Sequence, residues 1–263
     1  MALFLIVQFV VCIFILKWTL KQKPGERFSK KSVAKFLGFG ALSVVVVFVC
    51  FGLVVDKESF SGQAPILYGF LTAFCFAAVP EELGKYLFFR LAIAKNREVD
   101  CWLSAIIAAI TVGAGFTLLE DVEFVVSGAG SFVRAFLPCH LIFQLIMGYF
   151  YGKACVTKEK KYHVLSICVP IVCHTLFDMF LVAMKPFMKA VLKMQESGEL
   201  PSDMIKNPEK YADIVKNIPH YNETVVYLIC SFVVFVVAFV ALIVLFSKLG
   251  KWNKNGEKLE SLS

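Results

Sequence analysis

Carboxylates, imidazoles and one ammonium stand inside stretches of this 263-residue chain that are otherwise apolar. Pro80-Glu81-Glu82-Leu83-Gly84-Lys85-Tyr86 interrupts an apolar run from Ala64 to Ala94. Glu120-Asp121-Val122-Glu123 closes a second run, His140 and Gln144 lie in a third, and His174 and Asp178 lie in a fourth. Two carboxylates side by side can share general acid and base work, because each raises the other's proton affinity. Two imidazoles with a carboxylate form a known catalytic zinc arrangement with an open fourth position.

The glutamate pair is the hardest of these to dismiss. Its run is long enough to cross a bilayer, which takes about 20 apolar residues. A carboxylate at bilayer depth costs roughly 2.5–3.5 kcal/mol on the lenient insertion scale, so it needs a bundle interior and partners. Lys85 follows Glu81 by four residues and shares its helical face. Glu82 points about 100° away and must find its partner elsewhere in the chain. Pro80 cannot donate to the carbonyl of Phe76 and so frees a polar backbone group beside the carboxylates. A purely structural Glu81–Lys85 ion pair would leave Glu82 unexplained.

Composition sets the elements that position these groups. The chain is 59% hydrophobic, with a mean hydropathy of +0.74 and 27 Phe. Soluble domains are about 45–50% apolar, so this reads as one integral-membrane domain over 1–263. Ala2 to Leu16 carries no charge and lacks the basic start and small-residue cleavage site of a secretory signal, which makes it a retained first span. The net charge of +7 sits mostly in short loops, where it sets topology instead of binding nucleic acid. The nine cysteines form no CxxC pairs and lie almost wholly in apolar stretches, where they read as small hydrophobic residues.

The hydropathy pattern predicts an all-α polytopic bundle of about seven transmembrane helices: 2–20, 34–55, 64–94, 101–123, 132–152, 164–184 and 225–246. With the N-terminus outside and the C-terminus cytoplasmic, the basic loops 21–35, 94–100, 153–162 and 247–258 all fall on one face, as the positive-inside rule requires. Residues 185–222 then form an extracytoplasmic loop, partly helical. The polar residues are confined to four consecutive spans, which predicts a four-helix catalytic core over 65–185. Counted at 1.5 Å per residue, Glu81 lies at mid-depth and Glu120, His140 and His174 lie in the outer halves of their spans. The four can meet in a cavity that opens outward. His163 and His220 fall at a membrane boundary and in the outer loop, where histidine is ordinarily solvated.

These residues resemble a known family. Glu81-Glu82-x-x-Lys85 and Gly115-Phe116-Thr117-Leu118-Leu119-Glu120-Asp121 resemble the paired-glutamate and F-x-x-x-E-N motifs of PrsW-type intramembrane proteases. Arg134…His140…Met147-Gly148-Tyr149-Phe150-Tyr151-Gly152-Lys153-Ala154 and His174-x-x-x-Asp178 match that family's third and fourth signatures in order. The resemblance covers roughly residues 65 to 185. It extends to the wider group of CAAX-prenyl endopeptidases and bacteriocin-processing enzymes. Asp121 departs from it, standing where the family usually has Asn. The resemblance implies a site-1 protease of the bacterial cytoplasmic membrane. Such an enzyme cuts a single-pass membrane protein of the anti-sigma-factor type near the outer face, starting regulated intramembrane proteolysis, sigma-factor release and a stress response.

The corresponding mechanism assigns Glu81 and Glu82 as catalytic and Glu120, His140 and His174 as ligands of a zinc ion. Lys85, Asp121, Arg134, Gln144 and Asp178 are supporting residues, with Asp178 and Gln144 each one turn from an imidazole they could orient. Helical geometry gives Lys85 to Glu81 and favours Glu82 as the free base, whereas the wider group favours the first glutamate. Three other readings stand beside this one. A metal-free enzyme could activate water with the glutamates alone. A proton- or ion-coupled transporter would use buried Glu, His and Lys as a relay, although no internal repeat of the transporter kind is visible. A seven-span receptor would leave the clustering of charge on four helices without a purpose.

Overall fold

The structure is a computed structural model and describes residues 2–23, 26–52, 59–126, 137–200 and 208–254. Among these residues the chain is helical, with no strand. The long helices are α1 (Ala2–Leu20), α2 (Lys30–Gly52), α3 (Pro65–Ala73) running through a π-helical turn (Phe74–Ala78) into α4 (Val79–Ile93), and α5 (Trp102–Val126). They continue with α6 (Cys139–Thr157), α7 (Lys160–Ala183) and α8 (Lys185–Glu196). A 3-10 turn (Pro208–Tyr211) and the short α9 (Ala212–Lys216) lead to α10 (Tyr221–Lys254).

Among the described residues five helices are long and apolar enough to cross a membrane: Lys30–Cys50, Pro65–Ile93, Trp102–Phe124, Lys160–Glu196 and Tyr221–Trp252. They correspond to five of the seven expected spans. The first expected span is apolar over the shorter stretch Leu5–Leu20, and the fifth, described from 137 onward, is helical over Cys139–Thr157. The stretch 185–222, expected to be partly helical, holds α8 and α9.

α5 is the axis of the bundle. It is apolar all round, as a helix surrounded by protein must be, and 83% of its membrane-length stretch is buried, against 6% for α10. It packs chiefly on α6 and α2, and further on α1 and α4. Without a hydrophobic drive inside lipid, such contacts rest on close backbone approach through small residues. The crossing of α2 and α5 shows this. A Cβ on Gly40 would run into the Val112 carbonyl, and one on Gly115 would run into the Leu37 backbone. α10, by contrast, exposes Phe232, Val237 and Ile243, the face a lipid-contacting helix presents.

The π-helical turn has a local cause. Pro80 has no N–H for the carbonyl of Phe76, and a wider turn just before it moves the hydrogen-bond register, with the Val79 N–H donating to the Phe74 carbonyl five residues back. The first turn of α4 then carries the glutamate pair into the bundle.

The loops at one end are tied together. Glu98 accepts from the Ser29 amide (2.8 Å) and hydroxyl (2.7 Å), while the Ser29 hydroxyl oxygen accepts the Ser32 amide and so caps α2. Asn96 donates to Ser32, Lys23 lies 3.9 Å from Asp100, and Trp252 packs on Trp102 and Tyr149. This gathers the basic segments around 21–31 and 95–97 with the far end of α10 on one face.

Candidate active site

Four helices bring the expected residues to one place. α4 supplies Glu81, Glu82 and Lys85, α5 supplies Phe116, Glu120 and Asp121, α6 supplies His140 and Gln144, and α7 supplies His174 and Asp178. Glu120 is in the last two turns of α5 and His140 in the first turn of α6, so the cluster lies toward the end of the bundle opposite the tied basic loops. Arg134 lies outside the described residues.

Glu82 is the hub. Its carboxylate is fully buried, accepts from Lys85 Nζ (2.7 Å) and Gln144 Nε2 (3.3 Å), and lies 2.9 Å from His174 Nδ1. This corrects the reading of Glu82 as the free member of the pair. Positions three apart on a helix are neighbours as well as positions four apart, and Lys85 lies closer to Glu82 than to Glu81, which it meets at 3.3 Å. Glu81 is the less constrained group, its side chain 15% exposed and 3.9 Å from His174 Nε2. Gln144, one turn along α6 from His140, reaches Glu82 and not the imidazole. Among the described residues its Oε1 is buried without a hydrogen-bond partner.

Each histidine is held on both sides. Lys85 Nζ lies 2.8 Å from His140 Nδ1, and Glu120 Oε2 lies 2.8 Å from Nε2. An ammonium can only donate, so Nδ1 accepts, and Nε2 carries the hydrogen and donates to Glu120. His174 faces Glu82 through Nδ1 and Asp178 (3.1 Å) through Nε2, the expected partner one turn on. Phe143 stacks on His174 with centroids 5.1 Å apart, and the Lys85 ammonium lies over the Phe116 ring at 3.9 Å from its centroid. A cavity of ≈ 10 Å³ beside His140, lined by Thr117, Asp121, Leu137, Pro138 and Cys139, matches the space of about one water.

Two contributors, Gln8 and Phe143, have no counterpart in the sequence reading. Gln8 of α1 donates to Asp121 Oδ1 (3.2 Å) in a buried contact across the bundle. The signal was available: Gln8 is the lone polar side chain in the uncharged stretch from Ala2 to Leu16. Phe143 carried no such signal, since one Phe among 27 cannot be picked out without the fold, whereas Phe116 opens the F-x-x-x-E motif that ends at Glu120.

The donor set suits a metal ion. Glu81, Glu82, His140 and His174 offer two nitrogens and two carboxylate oxygens, all within 4.8 Å of one another. A zinc ion takes such donors at about 2.0–2.2 Å in a tetrahedron, which places them roughly 3.4 Å apart, so side-chain shifts of about 1 Å draw them in. Gly113 keeps the neighbouring space open, because a Cβ there would overlap the Gln144 side chain.

The comparisons with known proteins agree with this geometry. The family described as PrsW family intramembrane metalloprotease matches residues 29–196. The chain belongs to that family. A "Protease PrsW" of Bacillus subtilis (strain 168) is 29% identical over 169 residues, 60% of this chain and 75% of that protein. The "Protease PrsW" of Halalkalibacterium halodurans is 30% identical over 186 residues, 64% of this chain and 82% of the relative. That of Clostridioides difficile (strain 630) is 26% identical over 160 residues, 56% of this chain and 66% of the relative. No solved structure matches the chain. The PrsW match spans α2 to α8 and so contains all four site-bearing helices. As a family of intramembrane proteases it also places the chain in the cell membrane, in keeping with the several apolar helices.

Proposed function

We propose that this chain is a zinc-dependent intramembrane endopeptidase whose site is the cluster of Glu81, Glu82, His140 and His174. The observation that carries the proposal is the convergence of those four groups, from three helices, within 4.8 Å. In this reading His140, His174 and Glu82 hold the ion. Glu120, first expected as a ligand, serves instead as the group behind His140, because its carboxylate lies on the Nε2 side, away from the pair. Asp178 does the same for His174. A carboxylate behind a ligating imidazole fixes its tautomer and raises its basicity.

Zinc bound there supplies Lewis acidity, which acidifies a water and polarises a carbonyl. The chain's own groups do the rest. Glu81 takes the proton of the attacking water and returns it to the leaving amine, since it is the glutamate with an exposed edge and the fewest fixed partners. This agrees with the wider group's preference for the first glutamate. Lys85 keeps the pair's second member charged. Gln144 Oε1, buried and unpartnered, accepts the amide N–H of the substrate backbone once that segment is unwound.

The substrate we propose is a single-pass membrane protein of the anti-sigma-factor type, cut near its outer boundary, so that the enzyme would perform the first cut of regulated intramembrane proteolysis in a stress response. What supports the side of cleavage is the position of the cluster at the end of the bundle away from the basic loops, which the positive-inside rule assigns to the cytoplasm. A helical substrate hides its carbonyls in hydrogen bonds and has to unwind there.

The test is co-expression with a doubly tagged single-pass substrate, followed by sequencing of the released ectodomain. The wild type is expected to yield a cut within a few residues of the outer boundary, and Glu81→Gln to yield none at equal expression. Cleavage by Glu81→Gln at the wild-type rate, or a cut on the cytoplasmic side, would overturn the proposal.

A further inference from the structure

We propose that Lys85 is a resident cation of the site, whose ammonium and a bound metal ion compete for the same lone pairs, so that Lys85 sets the metal affinity. The inference rests on the metal-dependent reading above and concerns how that site is loaded.

An ammonium has three hydrogens to donate, and Lys85 Nζ has three acceptors in reach: Glu82 Oε1 at 2.7 Å, His140 Nδ1 at 2.8 Å and Glu81 Oε2 at 3.3 Å. Those acceptors are three of the four groups able to hold an ion. A carboxylate oxygen has lone pairs to share between two cations. An imidazole nitrogen has one. His140 Nδ1 therefore serves either Lys85 or a metal ion, never both. Turning the ring over changes nothing, because whichever nitrogen faces the pair meets the ammonium while the other meets Glu120.

Lys85 is completely buried, on a four-carbon stem that lets its head swing. Its ammonium already rests over the Phe116 face, 3.9 Å from the centroid, which gives a charge leaving His140 a surface to withdraw along. The arrangement has a clear physical use. Two carboxylates buried in a bundle need positive charge to persist before any ion arrives, and Lys85 provides it. The cost falls on the ion, which has to displace the ammonium from His140 before it can bind. Lys85 acts here as a positioning residue through the ligands it holds.

The measurement is zinc affinity of purified, chelator-treated protein in detergent micelles, read by competition with a fluorescent zinc chelator, together with the melting temperature with and without zinc. Lys85→Met keeps the length of the side chain and removes the charge. It is expected to bind zinc about 10–100-fold more tightly than wild type, the worth of one charge-assisted hydrogen bond, and to melt at a lower temperature when stripped. Lys85→Arg keeps the charge and is expected to bind no more tightly than wild type. Should stripped Lys85→Met fail to stay folded, the rate of zinc loss from the loaded protein to excess chelator replaces the isotherm, and slower loss than wild type is expected. Equal or weaker binding by Lys85→Met, with wild type binding zinc, overturns this inference alone. Absence of zinc binding by every variant overturns the metal-dependent reading and this inference with it.

Discussion

Replacing each glutamate of the pair by glutamine separates a structural carboxylate from a chemical one. In Glu82→Gln the amide keeps one acceptor oxygen, but its NH₂ must face a donor, since Lys85 and Gln144 both donate to that carboxylate. Breaking a buried ion pair by changing one partner costs about 3–5 kcal/mol. Glu81 loses one hydrogen bond, at 3.3 Å and with an exposed edge, worth about 1 kcal/mol, beside a longer contact to His174 at 3.9 Å. At roughly 2–4 °C per kcal/mol for a chain of this size, Glu82→Gln is expected to melt about 6–20 °C below wild type and Glu81→Gln about 2–4 °C below. Thermal unfolding of the purified variants in detergent, followed by tryptophan fluorescence, reads the difference, and the substrate assay should show both variants inactive. Equal shifts, or a larger shift for Glu81→Gln, would refute the assignment of Glu82 as the hub.

Glu120→Gln and Asp178→Asn each weaken the carboxylate behind an imidazole and are expected to lower zinc affinity by about 10–100-fold, measured by chelator competition. Gly115→Ala drives a methyl group into the Leu37 backbone and should destabilise the α2–α5 crossing by about 1–3 kcal/mol or more, seen as a lower melting temperature with the site residues untouched. Glu98 is held below its ordinary carboxylate pKa of 4.5 first by the Ser29 hydroxyl. Its contribution to stability is therefore present above that ordinary value and is lost as pH falls through the lowered one. The melting difference between wild type and Glu98→Gln should accordingly shrink on acidification, and a difference that grows would contradict the sign.

Much of the site was legible because a membrane makes polar residues conspicuous. Glu81, Glu82, Lys85, His140, His174 and Asp178 stood out against apolar spans, and the structure brings all of them together. The interruption at Pro80 was legible too, as a freed carbonyl, although the π-helical turn that answers it was not. Directions were harder to read than positions. A helical wheel ranked Lys85 with Glu81, yet a lysine stem is long enough to reach positions three and four back, and the closer contact is with Glu82. In the same way Gln144 was assigned to its neighbour in sequence and instead reaches across to α4, because what a side chain meets depends on which helix packs beside it. Gln8 is visible in the sequence as the one polar side chain between Ala2 and Leu16, but its partner, Asp121, is visible only in the fold.

Peptide hydrolysis by this chain is expected to need the ion that Glu82, His140 and His174 are proposed to hold. The deciding measurement is cleavage of a single-pass substrate by reconstituted protein, with bound zinc quantified in the same preparations before chelation, after it and after zinc is restored. About one zinc per chain, loss of cleavage on stripping, recovery on addition of zinc, and loss of both zinc and cleavage in His174→Ala are the expected results. Undiminished cleavage by exhaustively stripped protein would contradict the account and leave the two glutamates to activate water alone.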